Sequence, residues 1–521
     1  MKLLYNANVY TLDTKTPCAA ALLLAGGRIL AVGEKTRLES LAHGKVEKID
    51  MRGKTILPGL TDAHLHLEYY ALSLQKINCE TTTKAECLRR VAERAQRAKP
   101  GEWILGHGWN QNEWSDSNQL PSAADLDSVS PNNPVYLTAK SLHAGWVNSA
   151  ALNLAGINAQ TPNPKDGVIQ NGALLESAMT LVERILPAPT LDQSIAAVER
   201  AQQALWKMGL TGVHDFDRRN SFMALQQLRA QGKLKLRVNK NIPLESLDAA
   251  HALGLQTGFG DDMLWVGSVK GFMDGALGPH TAAMFEPYND EPGNVGILSM
   301  DGEELFEHAR KAADVGLSMT VHAIGDRANH EVLNAYEHLR QYEIENGLPH
   351  LRHRIEHVQI LHPQDAARLA KLNIIASMQP IHAPSDRYAA DHYWGERSAL
   401  AYAWRTQLES GATLAFGSDA PVETPNPFIG LHAAVTRRRA DSTGEDSWRP
   451  EQCLTLEEAL RAYTLGAAYA ANAEHRLGKL AENYHADLIA LDEDIFKIQP
   501  KDLPAVQPAA VMVNGEWVIY P

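Results

Sequence analysis

The sequence is poor in cysteine and contains no long hydrophobic run. Four cysteines occur among 521 residues, and none of them forms the C-x-x-C spacing of a redox or structural zinc motif. We therefore expect Cys18, Cys79, Cys87 and Cys453 to be small buried hydrophobic residues. No stretch approaches the ~20 consecutive apolar residues that a membrane-spanning helix needs, so we expect no membrane partner.

Basic residues are outnumbered by acidic ones. The chain has 49 lysines and arginines against 62 aspartates and glutamates, a formal net charge of -13. A surface that binds nucleic-acid phosphates normally produces a basic excess, so we expect no nucleic-acid partner. The run from Arg437 to Arg439 is interpreted as a solvated helix face. The first residues, MKLLYNANVYTLD, lack the pattern of a signal or transit peptide, and the expected location is the cytoplasm.

The composition is otherwise that of an ordinary globular protein. Hydrophobic residues make up 45% of the chain and charged residues 21%, which is enough apolar material for a large core. The length suggests several domains, but an α/β barrel can hold ~250 residues or more in one domain. We therefore expect two or three domains.

Strand-like alternation is concentrated at the two ends of the chain. LLYNANVYTLD and ALLLAGGRILAVGE lie near the start, and Gly26-Gly27 between two apolar runs predicts a hairpin. ADLIALDED and AAVMVNGEWVIYP lie near the end, with a second predicted turn at Asn514-Gly515. We predict a small β-sandwich domain built from residues 1–55 and 476–521 together.

Strand-like and helix-like stretches alternate through residues 56–475, which is the pattern of βα units. The strand candidates number eight, as in a (β/α)8 barrel: TILPGLTDAHLH, LTGVHDF, LKLRVNKNI, MLWVGSVKGFMDG, LSMTVHAIGD, HRIEHVQI, NIIASMQP and ATLAFGSDAP. A long interval, about residues 79–176, separates the first two candidates and has helix and strand patterns of its own. We interpret it as an inserted subdomain that covers the barrel mouth and helps to select the substrate, since a structureless loop of this length would be unusual.

Polar residues recur where the predicted strands end, and barrel enzymes place their chemistry at those carboxyl ends. His64 and His66 are two residues apart, so on a strand both imidazoles point to the same face. Each residue of the set also has an ordinary explanation, such as a hydrogen-bonded histidine, a surface lysine or a helix cap. Their joint occurrence on successive strands indicates a metal site. The set is His64, His66, Lys270, His322, His357 and Asp419.

Several stretches, in this order, resemble the amidohydrolase superfamily of metal-dependent hydrolases, and within it the YtcJ-like branch: LPGLTDAHLH, GHGWNQNEW, SLHAGWVNSAAL, VKGFMDGALG, TVHAIGDRA, RIEHVQ, FGSDAPV and ADLIALDED. The resemblance covers nearly the whole chain. It implies an α/β fold, namely a distorted (β/α)8 TIM barrel with a β-sandwich from both termini and an insertion after the first strand. It also implies two metal ions, one bound by His64 and His66 and the other by His322 and His357.

The same resemblance implies roles for the two remaining residues. Lys270 matches the lysine that is carboxylated to bridge both ions. Asp419 matches the catalytic aspartate that binds metal and handles the proton. The ordinary alternative for Lys270, a buried lysine that needs a partner, is an ion pair with the nearby Asp274.

These residue types suit metal-assisted hydrolysis. Neutral imidazole and carboxylate favour Zn(II) or a similar divalent ion, which lowers the pKa of a bound water to about 7, so that hydroxide is available. A buried lysine is readily held neutral, and Lys270 can then capture carbon dioxide as a carbamate. Asp419 is expected to accept the proton of the hydroxide and pass it to the departing amine.

A second group of residues is predicted to contact the substrate, with structural hydrogen bonding or core packing as the alternative. Trp109 belongs with Trp103, Trp114 and Trp146 to a tryptophan cluster, for which packing is the favoured interpretation. At His280 the relatives commonly have arginine, so this position departs from the family pattern. The group consists of His107, Trp109, His143, Glu176, His214 and His280.

The leading prediction is a hydrolase of a non-peptide C–N bond, of amide, formamide or carbamoyl type, in a small-molecule substrate. The first alternative is a mononuclear zinc deaminase on the same fold, although VQILH after His357 lacks the carboxylate expected there. The second is a non-enzymatic interaction protein, which would typically have lost ligands. The chain could also form a homodimer.

Overall fold

The computed structural model describes residues 1–111, 114–117, 119–139, 144–164, 167–442, 444 and 446–521. The chain forms two compact units. One combines Met1–Tyr70 with Val198–Pro521, and the other is Ala71–Ala197. The terminal β-domain and the barrel therefore belong to one compact unit, and the inserted unit is longer at both ends than the interval 79–176.

The first unit contains a barrel of eight parallel strands, each paired with the next along the chain. Its strands are Leu60–Leu65, Leu210–Asp215, Arg237–Pro243, Leu264–Phe272, Met319–Ala323, Arg354–His357, Ile375–Met378 and Leu414–Phe416. We number them as barrel strands 1 to 8 in this order. Seven lie within the strand candidates of the sequence, the third extends one residue beyond its candidate to Pro243, and the predicted α/β barrel is confirmed.

The barrel is nearly closed. Among the described residues, barrel strands 1 and 8 are joined by an isolated bridge between Leu65 and Ala420 instead of a continuous ladder. Gly417 lies at this seam, where a Cβ atom would be 2.4 Å from the backbone nitrogen of His64. A residue with a side chain would therefore push the two strands apart.

Helices follow most of the barrel strands. Those of the first unit are Lys35–Leu41, Leu67–Ser73, Leu191–Lys207, Arg219–Ala230, Leu247–Ala252, Gly302–Ala313, Asp326–Glu345, Arg368–Lys371, His382–Trp394, Trp404–Ser410, Pro427–Thr436, Leu456–Arg461 and Ala467–Ala470. Two of them, Leu67–Ser73 and Leu191–Lys207, contain residues of both units. The helix at Leu456 begins with a reciprocal capping box, in which the Thr455 and Glu458 side chains each bond the other's backbone N–H. Within the described residues, no helix is long and apolar enough to cross a bilayer.

Both ends of the chain contribute to one eight-stranded sheet, the terminal sheet. Its strands are Lys2–Tyr10, Cys18–Ala25, Arg28–Gly33, Glu47–Asp50, Thr55–Pro58, Leu488–Leu491, Ala510–Val513 and Glu516–Ile519. The predicted turns are present: Gly26-Gly27 and Asn514-Gly515 each connect two antiparallel strands, with positive φ at all four residues. The first strand pairs with Glu47–Asp50 along its first half and with Thr55–Pro58 along its second.

The inserted unit is built on a six-stranded sheet. Its strands are Ile77–Asn78, Ile104–Trp109, Val135–Ala139, Ala144–Val147, Gly167–Gln170 and Ala173–Glu176, and its helices are Lys84–Ala95, Ala123–Asp127, Ser149–Leu154 and Thr180–Glu183. Trp109, Trp114 and Trp146 pack in its core, with ring centroids 5.9, 6.1 and 6.2 Å apart. The packing interpretation of this cluster is confirmed for these three residues.

Two smaller predictions are wrong. Arg437 is fully buried, because the helix that precedes it ends there with a left-handed backbone (φ 51°) and its side chain turns inward. Its guanidinium lies 4.4 Å from the ring centre of Trp404 and 4.8 Å from that of Trp448. Cys79 and Cys87 are buried as expected, but Cys18 is exposed. It is the first residue of its strand in the terminal sheet.

Candidate metal centre

The two histidines of the H-x-H motif lie at the carboxyl end of barrel strand 1. Alternation along the strand turns both rings to the same side, with their centroids 5.9 Å apart. The Nε2 atoms of His64 and His66 are each 3.4 Å from Oδ1 of Asp419. Strands 1 and 8, which are far apart in sequence, therefore present three donor atoms to one point.

Asp419 lies just after barrel strand 8 with a positive φ of 59°. Its backbone N–H donates to the carbonyl oxygen of His64 at 2.7 Å, so the two residues are fixed to each other through the main chain as well. Burial alone would raise the pKa of Asp419, but the hydrogen bonds from His64 and His66 hold it well below its usual range. The side chain is thus an anion beside the two imidazoles.

His322 and His357 come from barrel strands 5 and 6, and their ring centroids are 4.5 Å apart. The ring of His357 is also 5.1 Å from that of His64. Ligand atoms of His64, His357 and Asp419 all lie within 4.8 Å of one another, close enough to hold a metal ion. His357 has a positive φ of 75°, a conformation that L residues rarely adopt outside functional sites and turns.

Each histidine has an outer ring nitrogen, the one that faces away from the proposed metal position. In the H-x-H pair both outer nitrogens are hydrogen-bonded to carboxylates. Nδ1 of His64 donates to Glu356 Oε2 at 2.6 Å, and Nδ1 of His66 donates to Asp217 Oδ1 at 3.2 Å. These contacts fix the orientation of both rings and leave Nε2 of each directed at Asp419, where a metal ion could take the place of the proton. Asp217 also accepts the backbone N–H groups of Glu68 and Tyr69.

Neutral oxygens hold the outer ring nitrogens of the other pair. Nε2 of His322 donates to the carbonyl oxygen of Gly275 at 2.8 Å, and Nδ1 of His357 donates to Oε1 of Gln379 at 2.8 Å. Nδ1 of His322 and Nε2 of His357 therefore remain for a ligand. All four rings are fixed before any ion binds.

Glu356 is part of a buried polar network inside the barrel. Its carboxylate forms an ion pair with Arg354 at 2.8 Å and accepts a hydrogen bond from the Thr320 hydroxyl. Arg354 in turn donates to Nδ1 of His214 at 2.9 Å and to the Ser377 hydroxyl at 2.7 Å. Burial would raise the pKa of Glu356, but Arg354 and His64 hold it well below its usual range, so His64 faces a carboxylate.

Lys270 is 4% exposed, on barrel strand 4. Among the described residues, its Nζ has no hydrogen-bond partner; it lies 4.7 Å from the ring centre of Phe272 and 5.1 Å from that of Phe216. Burial lowers the pKa of Lys270 to about 8, although Glu356 and Asp419 act in the opposite direction. At neutral pH most of this amine is therefore still protonated, but its neutral form is far more populated than that of an exposed lysine.

The ion pair between Lys270 and Asp274 is not formed. The Asp274 carboxylate instead accepts three backbone N–H groups, from Ala283 at 2.9 Å, Ile324 at 3.0 Å and Gly325 at 2.8 Å. These bonds join the loop after strand 4 to the end of strand 5. The structural alternative for Lys270 is therefore wrong.

The donor set fits a divalent metal. Four imidazoles with their outer nitrogens already bonded, one carboxylate and one partnerless buried amine converge at the carboxyl ends of strands 1, 4, 5, 6 and 8. Nitrogen and carboxylate oxygen are ligands that zinc and its divalent neighbours accept. The described geometry thus brings together all six residues predicted as metal ligands.

Two of the residues predicted to contact the substrate lie in the first unit. His214 is buried inside the barrel, where it accepts the hydrogen bond from Arg354. Nδ1 of His280 is bonded to Glu291 at 3.1 Å, and its ring stacks on Tyr288 with centroids 4.6 Å apart. Both histidines are thus engaged by protein neighbours, and their contact with a substrate stays a prediction.

The other four belong to the inserted unit. Trp109 is buried in the core of that unit, and its indole N–H donates to the carbonyl of Leu137 at 2.9 Å. His107 bonds Thr138 Oγ1 at 2.8 Å, and Glu176 is exposed at the end of a strand. His143 lies outside the described residues. For these four, substrate contact also remains a prediction.

Sequence reasoning missed the residues that orient the histidines, namely Glu356, Asp217 and Gln379. Each lies at or just beyond the carboxyl end of a strand in a polar stretch, RIEH, HDFD or SMQP. Glu356 precedes a candidate ligand directly, and a buried glutamate inside an apolar strand needs a partner. The sequence thus indicated that Glu356 has a polar partner. It could not identify His64 as that partner, because the pairing depends on strand order.

The comparisons with known proteins agree with this geometry. The model of the amidohydrolase family matches residues 47–519, and the chain belongs to that family. The predicted resemblance is therefore confirmed.

Individual relatives span nearly the whole chain. The YtcJ protein of Bacillus subtilis, which carries an amidohydrolase name, is 33% identical over 98% of this chain and 98% of its own length. An N-substituted formamide deformylase of Arthrobacter pascens is 28% identical over 98% of this chain and 97% of its own. The crystal structure of a metal-dependent hydrolase of Pyrococcus furiosus is 30% identical, with a TM-score of 0.80 over 95% of this chain and 100% of that one. The protein is thus a member of a hydrolase family that includes metal-dependent enzymes.

Proposed function

We propose that this protein hydrolyses a non-peptide C–N bond, of amide, formamide or carbamoyl type, in a small molecule. The observation that carries the proposal is the convergence of His64, His66, His322, His357 and Asp419 around the partnerless amine of Lys270. The family and the formamide deformylase relative support the choice of bond.

We infer two divalent ions, zinc or a similar metal. His64, His66 and Asp419 would hold one ion, and His322 and His357 the other. When bound, such ions polarise a carbonyl group and lower the pKa of water, which makes a nucleophile available at neutral pH. The chain's own residues then have to orient the substrate and move protons.

Lys270 is proposed to carry a carbamate. The lone pair of its neutral Nζ attacks the carbon of carbon dioxide, an N–C bond forms, one C–O π pair moves to oxygen, and the nitrogen loses a proton to solvent. The product is an anion with two oxygens that can span ions ~3.5–4 Å apart. The burial of Lys270 and its lack of a hydrogen-bond partner support this conversion.

Asp419 is proposed as the proton carrier. Its carboxylate would accept a proton from the attacking water and deliver it to the departing nitrogen, a role that needs a carboxylate close to both. Its Oδ1 lies 3.4 Å from Nε2 of His64 and 3.4 Å from Nε2 of His66. The side chain therefore stands where the attack is expected.

Two aromatic rings beside the histidines indicate an apolar group in the substrate. Phe272 is 47% exposed, with its ring centroid 5.3 Å from that of His322. Tyr69 is 57% exposed, with its ring 6.0 Å from that of His66. Exposed aromatic surface beside a polar site is suited to an apolar ligand group. We propose that the N-substituent or acyl group packs against these rings.

A mononuclear zinc deaminase is the second candidate. The ligand atoms of His64, His357 and Asp419 lie within 4.8 Å of one another and could hold a single ion. The partnerless Lys270 favours the two-ion site, because a single ion at those three residues leaves the amine without a role. A non-enzymatic protein is less favoured, since all six expected ligands are present.

The test is metal analysis of the purified protein followed by a substrate screen. The panel contains N-acyl, N-formyl and N-carbamoyl compounds with small and aromatic substituents, together with cyclic amidines as deaminase substrates. We expect bound divalent metal and release of both an amine and an acid. His308→Gln, on the outer helix Gly302–Ala313, is the matched histidine control and should not change turnover. Ammonia release from the cyclic amidines alone would establish the deaminase, and metal without turnover of any class would contradict the proposal.

A further inference from the structure

The two proposed ion positions differ in the groups that are hydrogen-bonded to the outer nitrogens of their histidines. Behind His64 and His66 are the carboxylates of Glu356 and Asp217. Glu356 is completely buried, and its carboxylate lies 2.8 Å from Nε of Arg354. The H-x-H pair also faces Asp419 directly. This position therefore has carboxyl groups on both sides of its imidazoles.

The groups that are hydrogen-bonded to His322 and His357 are uncharged, and the nearest carboxylate, that of Asp274, lies 3.6 Å from Nε2 of His322. One of the two uncharged groups is the backbone carbonyl of Gly275, and the other is the side-chain amide of Gln379. Gln379 is buried, and within the described part of the chain its Nε2 has no hydrogen-bond partner. The amide therefore uses its oxygen to orient His357 and leaves its NH2 group unsatisfied.

This difference affects how strongly an imidazole donates to a metal. A carboxylate that accepts the outer N–H makes the ring more electron-rich and raises its basicity as a ligand, whereas a neutral oxygen does so less. Loss of such an outer partner typically costs ~10–100-fold in metal affinity. Two hydrogen-bonded carboxylates against two neutral oxygens should therefore make the first position the tighter one, by about tenfold or more.

We propose that the two positions bind metal with unequal affinity: a tight ion at His64, His66 and Asp419, and a weaker, exchangeable ion at His322 and His357. This inference rests on the two-ion site of the proposed function. Because both ions are needed there, the fraction of active enzyme would follow the free concentration of divalent metal. Occupancy of the second position would thus regulate the enzyme.

The test measures metal binding directly. The full-length protein is stripped of metal and titrated with Zn²⁺ against a competing chelator, in the presence of bicarbonate. We expect two binding steps whose dissociation constants differ by about tenfold or more. In a chelator series, one equivalent should be lost well before the other.

Gln379→Glu provides the decisive variant. It preserves the shape of the side chain, replaces the unsatisfied NH2 with an oxygen and places a carboxylate behind His357. We expect the weak step to become about tenfold tighter or more, while the tight step stays unchanged. Gln226→Glu, the same substitution on the exposed face of the helix Arg219–Ala230, is the matched control and should change neither step.

Asp217→Asn tests the other position and also covers a failure of Gln379→Glu to fold. It retains an oxygen acceptor for His66 but removes the charge, so the tight step should weaken about tenfold or more. Thermal unfolding of the metal-free variants identifies those with a damaged fold. Two steps of equal affinity, or folded variants that leave both steps unchanged, would overturn the inference while the two-ion proposal survives. Binding of one equivalent at most would overturn both.

Discussion

The carboxylate of Asp62, on barrel strand 1, accepts hydrogen bonds from the hydroxyl of Ser418 at 2.5 Å and from its backbone N–H at 3.1 Å. Ser418 follows barrel strand 8, and the two strands lack a continuous ladder there. Asp62 also accepts the backbone N–H of His64 at 3.0 Å. This buried side chain therefore adds to the main-chain contacts between strands 1 and 8 and helps to place His64 beside Asp419.

Ser418→Ala should loosen this seam. The substitution removes a donor from a buried carboxyl group, which costs about 1–3 kcal/mol of unfolding free energy. It should also weaken Zn²⁺ binding, because His64 and Asp419 lie on either side of the contact. Urea unfolding and a chelator titration measure the two effects. Ser410→Ala, whose hydroxyl bonds a helix carbonyl, is the control; equal losses in both variants would show that the seam has no special role.

Asp419→Asn should retain metal and lose turnover. Asparagine tolerates the positive φ at this position and preserves the shape of the side chain, but it cannot accept the proton. We expect at least one bound ion and a kcat lower by ~10²–10⁴-fold. Metal analysis and steady-state kinetics provide the measurement. An asparagine variant with near-normal kcat would mean that another group carries the proton.

Lys270→Ala should bind less metal and lose activity if the carbamate bridges the ions. A small carboxylate such as acetate or propionate should partly restore both by occupying the space of the bridge. Electron density from crystals grown with metal and bicarbonate should contain an extra carboxyl group on Nζ. A plain ammonium beside a single ion would contradict the bridge and favour the mononuclear deaminase.

Phe272→Ala should discriminate between substrates. Loss of the contact with an apolar substituent should lower kcat/KM about tenfold or more for N-aryl or N-benzyl substrates, because burial of an aromatic side chain contributes about 1.5–3 kcal/mol. Substrates without the substituent should change little. Phe259→Ala removes another exposed phenylalanine, before the start of barrel strand 4, and should leave the ratio unchanged. A uniform loss across all substrates would argue against a specificity role.

His353 should make stability fall at mildly acidic pH. Its Nδ1 accepts the backbone N–H of Met319, and its Nε2 donates to Glu343 at 2.9 Å, so the folded state holds the neutral ring. Burial lowers the pKa of His353 to about 4, against ~6.5 in the unfolded chain. The contribution to stability is therefore complete above pH ~6.5 and is lost as the pH falls toward 4.

The loss for His353 between pH 7 and pH 5 should be about 2 kcal/mol. Urea unfolding of the metal-free protein at the two pH values gives the measurement. His353→Asn preserves a polar group near Nδ1 but does not titrate, so its stability should depend less on pH by that amount. The same pH dependence in both proteins would locate the titrating group elsewhere.

The sequence was sufficient to predict the barrel strands and the residues that meet at the candidate metal centre. Parallel strands buried on both faces read as continuous apolar runs, and ligands at their carboxyl ends interrupt those runs with isolated polar residues. His64, His322 and Asp419 could therefore be recognised without knowledge of their neighbours. The turns at Gly26-Gly27 and Asn514-Gly515 could be predicted in the same way, because each depends on two adjacent residues.

The partners of those ligands could not be predicted. Glu356 contacts His64 across the barrel interior, and Gln379 reaches His357 from the next strand, so each pair depends on strand order and register. The burial of Arg437 depends on contacts with Trp404 and Trp448, neither of which is its neighbour along the chain. Such contacts are properties of the assembled fold, and no local pattern encodes them.

The terminal sheet also imposes an order of events during synthesis. Thr55–Pro58 is made early, but its partner Leu488–Leu491 is several hundred residues further along the chain. At ~5–20 residues per second, the early strand has an unpaired edge for roughly a minute on the ribosome. All four of its residues are buried in the finished protein. Until its partner strand is made, the exposed edge of Thr55–Pro58 could pair with the same edge of another nascent chain, which would lead to aggregation.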